Sequence, residues 1–302
     1  MWDIIRTKPA GTHLGKAIPI FINNFHQYLT KINAFADGAI DVWGFLDLPL
    51  FDAKMETGWV STRPPKGSRV GVHNLGAAMV AKGEWRRNPE QIREQVWSVV
   101  RGFDPELRNV IDMEGSETYL DGKLRCAKLG LSDACPVRID DSEERLLGQS
   151  IPLFQHDGND VRLLDWFIFS DGSSRLGFDG PIVDFEQVCS RLRDGDLTTS
   201  ANEARWIEIP SLGRFKPQDG HWDVEPEQRI LEARDVLSEL QGNPNAVRVC
   251  VDALHRYQED PSPDHKDQLR EAYESVPDHL KLYCGDMDTK DRPIRRILYP
   301  ED

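Results

Sequence analysis

Residues 18–22 and 28–36 are rich in β-branched and aromatic side chains. Asp37-Gly38 and then residues 40–45 follow them, with Ile40, Val42 and Gly44 alternating with Asp41, Trp43 and Phe45. Extended runs around a turn dipeptide predict a β-hairpin. The alternation predicts a strand covered on both faces, or one whose wet face carries a large aromatic. Pro49 and Gly58 fit the first turn and the end of a short helix over 49–57. Residues 59–62 and 69–81 then read as extended. Asn88 is a good N-cap, Pro89 suits the first helical position, and Gln91 falls where a capping box places its reciprocal side chain. Ile92, Val96, Val99, Val100 and Phe103 keep one apolar face along the helix that follows.

The same order of elements returns in the second half. Residues 161–169, Asp171-Gly172 and 176–178 repeat the hairpin, 181–195 the short helix, and 205–209 and 212–215 the extended pair. A closing helix starts at Pro226, keeps Ile230, Ala233, Leu237 and Leu240 on one face, and stops at Gly242. Identities run alongside this order. Gly15, Ile18, Pro19 and Phe21 return 133 residues later as Gly148, Ile151, Pro152 and Phe154, and Phe35, Asp37 and Gly38 return at 134 as Phe169, Asp171 and Gly172. Leu75, Gly76, Gly83, Trp85, Pro89 and Gln91 return at 137 as Leu212, Gly213, Gly220, Trp222, Pro226 and Gln228. A colinear match that slips by a few residues is what duplication followed by loop insertion leaves behind.

The fold class expected is α+β: two tandem diverged repeats, each a mainly antiparallel sheet with two packed helices. The organisation expected is a first repeat over 1–115, a linker over 116–147, a second repeat over 148–242 and a helical extension over 243–302 packed on the second repeat. The linker holds a hairpin-like piece around Asp121-Gly122. In the extension, 245–258 and 264–275 read as helices, and 280–284 and 294–299 as strands. Pseudo-two-fold packing of the repeats is expected, since a duplicated gene inherits a homodimer interface.

Composition narrows the function. No apolar run approaches the length of a membrane helix and residues 1–15 lack a signal-peptide stretch, so a cytoplasmic, non-membrane protein is expected. Five cysteines, Cys126, Cys135, Cys189, Cys250 and Cys284, form no CxxC pair and read as reduced thiols. The net charge is −14, and residues 148–302 carry 31 acidic against 18 basic side chains. Such a half repels nucleic-acid phosphates and suits a basic protein partner.

Two copies of a fold keep what folding requires and need not both keep a site. The retained residues are those of turns, helix starts and cores. Ionisable residues mostly change: His73 meets Pro210 and Glu84 meets His221. No metal-ligand spacing, nucleotide loop or GxSxG motif occurs, so no catalytic residue, metal or cofactor is assigned. The Asp286, Asp288 and Asp291 series lacks the glycine and glutamate of a calcium loop.

Candidate partner-binding residues are Trp43 and Trp59, which stand near Leu176 and Asp196 in the second copy and so exceed what the core retains. Glu225, Glu232, Asp235 and Glu239 join them as an acidic stripe on the second closing helix. The function these features predict is a non-catalytic interaction module engaging a basic partner, in the class of immunity or antidote proteins and accessory subunits of bacterial defence complexes. The rival is a hydrolase with one site in the first copy around Asp41, His73 and Glu84. A small-ligand site at the junction of the repeats is the third possibility.

Overall fold

The computed structural model describes all residues except 7–11, 104, 106–117, 121–122, 126–133, 223, 287 and 301–302. The first copy contributes strands β1 (Trp2–Arg6), β2 (His13–Asn24), β3 (His26–Phe35), β4 (Arg69–Val72) and β5 (Gly76–Trp85). The second contributes β6 (Cys135–Ile139), β7 (Arg145–Asp157), β8 (Asp160–Phe169), β9 (Ile207–Ile209) and β10 (Gly213–His221). Equivalent strands pair in equivalent registers. Gly15 faces Phe35 and Gly148 faces Phe169, and the parallel pairs Tyr28↔Gly71 and Arg162↔Glu208 correspond.

The architecture is mixed α+β and built from two tandem repeats, but the repeats do not form two separate sheets. Hydrogen bonding runs β1-β2-β3-β4-β5-β10-β9-β8-β7-β6 and returns to β1, a closed barrel. Closure has a physical cause, which is that the outer strands of each copy would otherwise be open edges. Each edge pairs with its own counterpart, β1 with β6 (Ile4↔Pro136) and β5 with β10 (Phe215↔Gly83). Strand β6 lies inside the segment read as a linker, where Thr118–Leu120 also pairs with Lys123–Arg125, and the dipeptide Asp121-Gly122 lies outside the described residues.

Both faces of the central strands are buried. Outward, Ile18, Ile20, Ile22 and Ile32 pack against α1 (Leu48–Glu56) and α2 (Pro89–Phe103). Ile151, Leu153, Trp166 and Ile168 pack likewise against α3 (Phe185–Arg193) and α4 (Pro226–Leu240). The predicted capping box of α2 is present, with Asn88 and Gln91 exchanging side-chain-to-backbone bonds of 2.8 and 3.0 Å. The alternate residues of both copies combine into shared clusters. Phe21, Val70 and Val72 meet Phe154, Ile207 and Ile209 in one, and Trp2, Ile4 and Phe35 meet Phe167 and Phe169 in another.

The repeated glycines now have reasons. A Cβ on Gly15 would lie 2.7 Å from the Phe35 ring, and one on Gly148 2.8 Å from Phe169. Gly83 and Gly220 lie beneath the indoles of Trp85 and Trp222 in the same way. The mid-strand prolines fit as well, because Pro19 falls between the stretch of β2 paired to β1, which ends at Ala17, and the stretch paired to Val60–Ser61, which starts at Phe21. A residue without an N–H thus sits where the strand has no neighbour on that side.

The C-terminal region has its own core, formed by α5 (Ala246–Glu259), α6 (Pro263–Ser275), a 3-10 turn (Asp278–Tyr283) and α7 (Arg292–Leu298). The stretches read as strands, 280–284 and 294–299, are helical instead. Ile294 and Leu298, four residues apart, put one helical face against Cys250, Leu269 and Tyr273. Among the described residues no helix is long and apolar enough to cross a membrane.

Candidate functional site

Trp43 and Trp59 are far apart in sequence and come together in the structure. Their ring centroids are 6.3 Å apart at 82°, and Tyr28 lies 5.4 Å from Trp43 on the other side. His26 continues the row 6.2 Å from Tyr28, next to Phe25 at the tip of the β2–β3 hairpin. Phe25 is 98% exposed and Trp43 54% exposed. Both hold left-handed backbone, φ +59° and +55°. The other described non-glycine residues with positive φ are Asn74, Glu143, Ser211, Asp219 and Lys290, all polar. A bulky aromatic in this region is disfavoured, and the turn at Trp43 is held by Asp41 Oδ1, which accepts the Gly44 N–H at 3.2 Å.

The second copy shows what the fold alone asks for at these places. Gly158-Asn159 forms the tip where Phe25 stands, which also explains the slip from 133 to 134. The strand register sets Trp43 opposite Gly177, one residue beyond Leu176, and Gly177 has φ +66°. Tyr28 corresponds to Arg162 and Trp59 to Asp196. Lys54 Nζ lies 4.6 Å over the Trp59 ring, whereas its counterpart Arg191 bonds Asp196 at 2.7 Å. One copy therefore carries aromatics at every position of this face where the other carries glycine or charge.

The acidic stripe is not assembled. Glu232 is buried, 5% exposed, and bonds both Arg229 and His279, the latter at 2.9 Å. Asp235 accepts the Ala246 N–H at 2.7 Å, and burial pushes its carboxyl above the ordinary range. Glu239 is exposed and accepts from Gln149 and Asn245, and Glu225 is exposed at the start of α4. The start of α5 and the 3-10 turn contact this side of α4, so Glu232 is buried, Asp235 is half-buried, and Glu225 and Glu239 are exposed about 21 Å apart along the helix.

The hydrolase constellation is dispersed too. Asp41 bonds Asn33 and Gly44, and Glu84 pairs with Lys82 and Arg214, which hold its carboxyl below the usual range. His73 lies beside Tyr283, 6.3 Å between centroids, and burial lowers its pKa, with Glu232 opposing and Arg229 reinforcing. Strand β5 runs eight residues from Gly76 to Glu84, about 26 Å, which separates the histidine from that carboxylate.

A cavity of about 440 Å³ lies between the copies. Equivalent positions line it from opposite sides: Leu29 and Leu163, Pro19 and Pro152, Val72 and Ile209. At its wall Lys31 Nζ donates to Asp165 at 3.0 Å and to Ser150 at 2.8 Å, and stands 4.6 Å over the Trp2 ring. Phe25, Tyr28, Lys31 and Asp165 were not singled out from the sequence. The signal that finds them is divergence between equivalent positions, not retention.

Residues 5–107 and 137–244 match a family described as a domain of unknown function (DUF7638), and residues 245–302 match a second, DUF7639. No curated protein and no solved structure matches the chain.

Proposed function

Because the chain belongs to the DUF7638 family, whose unknown function supplies no activity to inherit, we propose from its geometry that it is a non-catalytic interaction module. The working surface in this proposal is the row of Phe25, Tyr28, Trp43 and Trp59. One observation carries it: the second copy folds with Gly158-Asn159, Arg162, Gly177 and Asp196 at these places, so the barrel has no need of the aromatics. Two of the four also stand in backbone that costs roughly 1–2 kcal/mol per L-residue. Strain kept at an exposed site points to function. Exposed Trp and Tyr are the side chains that most often anchor protein partners.

Binding through this face rests on apolar burial, since residues 1–147 carry nearly balanced charge, 19 basic against 20 acidic. It is therefore expected to change little with salt. The test is capture of a partner from host lysate by the wild-type chain and by Phe25→Gly/Trp43→Gly at equal folded fraction. Loss of capture in the variant supports the proposal, and undiminished capture removes it. The acidity of the second half supports a second reading, an antidote or accessory subunit facing a basic partner through carboxylates outside the α4 set. Capture that survives the double variant and falls as salt rises favours that reading.

A further inference from the structure

We propose that the cavity between the copies binds a small zwitterion with an apolar remainder, a ligand of the free amino-acid class. This inference is independent of the aromatic face. A cavity of about 440 Å³ lies in the range of small-molecule sites, and its walls combine Leu, Val, Ile and Pro side chains with a comparable share of polar and charged ones. The choice of ligand class follows from charge compensation at Lys31 and Asp165.

These two side chains are only 31% and 26% exposed and compensate one another. An anionic ligand that took Lys31 would leave Asp165 unpaired in a partly desolvated site. A cationic ligand that took Asp165 would strand Lys31. Either result incurs the cost of an uncompensated charge. A ligand bearing both signs can enter the pair, its carboxylate meeting Lys31 and Ser150 and its ammonium meeting Asp165, with every charge still matched. Arg162 and Asp179 line the same cavity as exposed side chains, and Asp179 lies within electrostatic reach of Arg175 and of the Met1 ammonium, which also lines it. Leu29, Leu163, Val72 and Ile209 would take the apolar remainder.

The experiment is titration calorimetry on the full chain with the twenty free amino acids. For the tightest, the N-acetyl acid, the amide and the N-acetyl amide follow, which are anionic, cationic and neutral. The expected result is binding of an apolar amino acid, with each analogue weaker by at least about 10-fold, about 1.4 kcal/mol. Lys31→Met/Asp165→Leu removes both charges together and is expected to fold, since replacing a pair as a unit is tolerated. It should lose the preference for the zwitterion over the neutral amide. Binding of no member of the set, or of the neutral amide as tightly as the free acid, would overturn the proposal. The analogue series decides on the wild-type chain alone if the double variant fails to fold.

Discussion

Replacing Phe25 by glycine removes a ring that is 98% exposed and a Cβ held at φ +59°. The ring buries almost nothing, so its loss costs little. Relief of the left-handed backbone is worth roughly 1–2 kcal/mol, and the extra freedom glycine gives the unfolded chain takes back about 0.4–1 kcal/mol. The net expectation is a gain of about 0.5–1 kcal/mol. Phe25→Ala separates the two terms, because alanine removes the ring and keeps the strain. It should match wild type within about 0.5 kcal/mol. Trp43→Gly gains the same backbone relief but loses the contacts with Tyr28 and Trp59, each worth about 0.5–1.5 kcal/mol, so it should be neutral or mildly destabilised. Urea unfolding followed by circular dichroism reads all three as shifts of the unfolding midpoint. The reasoning is refuted if Phe25→Gly is no more stable than Phe25→Ala. Trp43 would then be the one member of the row, at φ +55°, left to support an aromatic face maintained against the preference of the backbone.

Gly15→Ala and Gly148→Ala should each destabilise by roughly 1–3 kcal/mol in the same urea assay, because the new methyl meets Phe35 or Phe169 below 3 Å; equal tolerance at both sites would show that the ring contact is not why they are glycine. Lys31→Asp and Asp165→Lys each set like charges together and should lose more stability than Lys31→Met, while the exchanged pair Lys31→Asp/Asp165→Lys recovers most of the loss. His73 is less basic in the folded chain, so the unfolded state binds more protons as pH falls through the unfolded value near 6.5. The stability tied to the neutral ring is present above that value and lost as pH falls towards the lowered one. A pH series of unfolding midpoints should be less steep in His73→Gln than in wild type, and identical slopes would count against burial as the cause.

The skeleton was legible because its residues act locally. Asn88 and Gln91 cap α2, and Gly15 and Gly148 yield to a phenyl ring, whichever way the sheets assemble. Barrel closure was not legible, since nothing in residues 2–6 or 76–85 says that the outer strand on each side pairs with its own copy. The carboxylates of α4 misled for a related reason. Helical spacing placed Glu232 away from the Ile230 face, but a later segment brings His279 to it and Arg229 neutralises it, so a polar stripe became an interior contact. Ile294 and Leu298 read as extended because a short apolar run lacks a decisive period. Trp43 and Trp59 were visible because equivalent positions could be compared. Phe25, Tyr28, Lys31 and Asp165 are marked in the same way, by the difference between equivalent positions.

Contact between Lys31 and Asp165 also fixes the symmetry of the molecule. Positions 31 and 165 are equivalent, and equivalent positions can touch only near the axis that relates the copies. In a dimer of two first copies, Lys31 would meet another Lys31, and in a dimer of two second copies Asp165 would meet Asp165. At 3 Å and an effective dielectric constant of 20, like charges repel by about 5 kcal/mol, and opposite charges attract by as much. Solvent access lowers both figures without changing their sign. Divergence at this one pair thus favours the mixed barrel over either symmetric one. With that pairing secured inside one chain, the two surfaces no longer had to match, and the first could take on aromatics that the second does without.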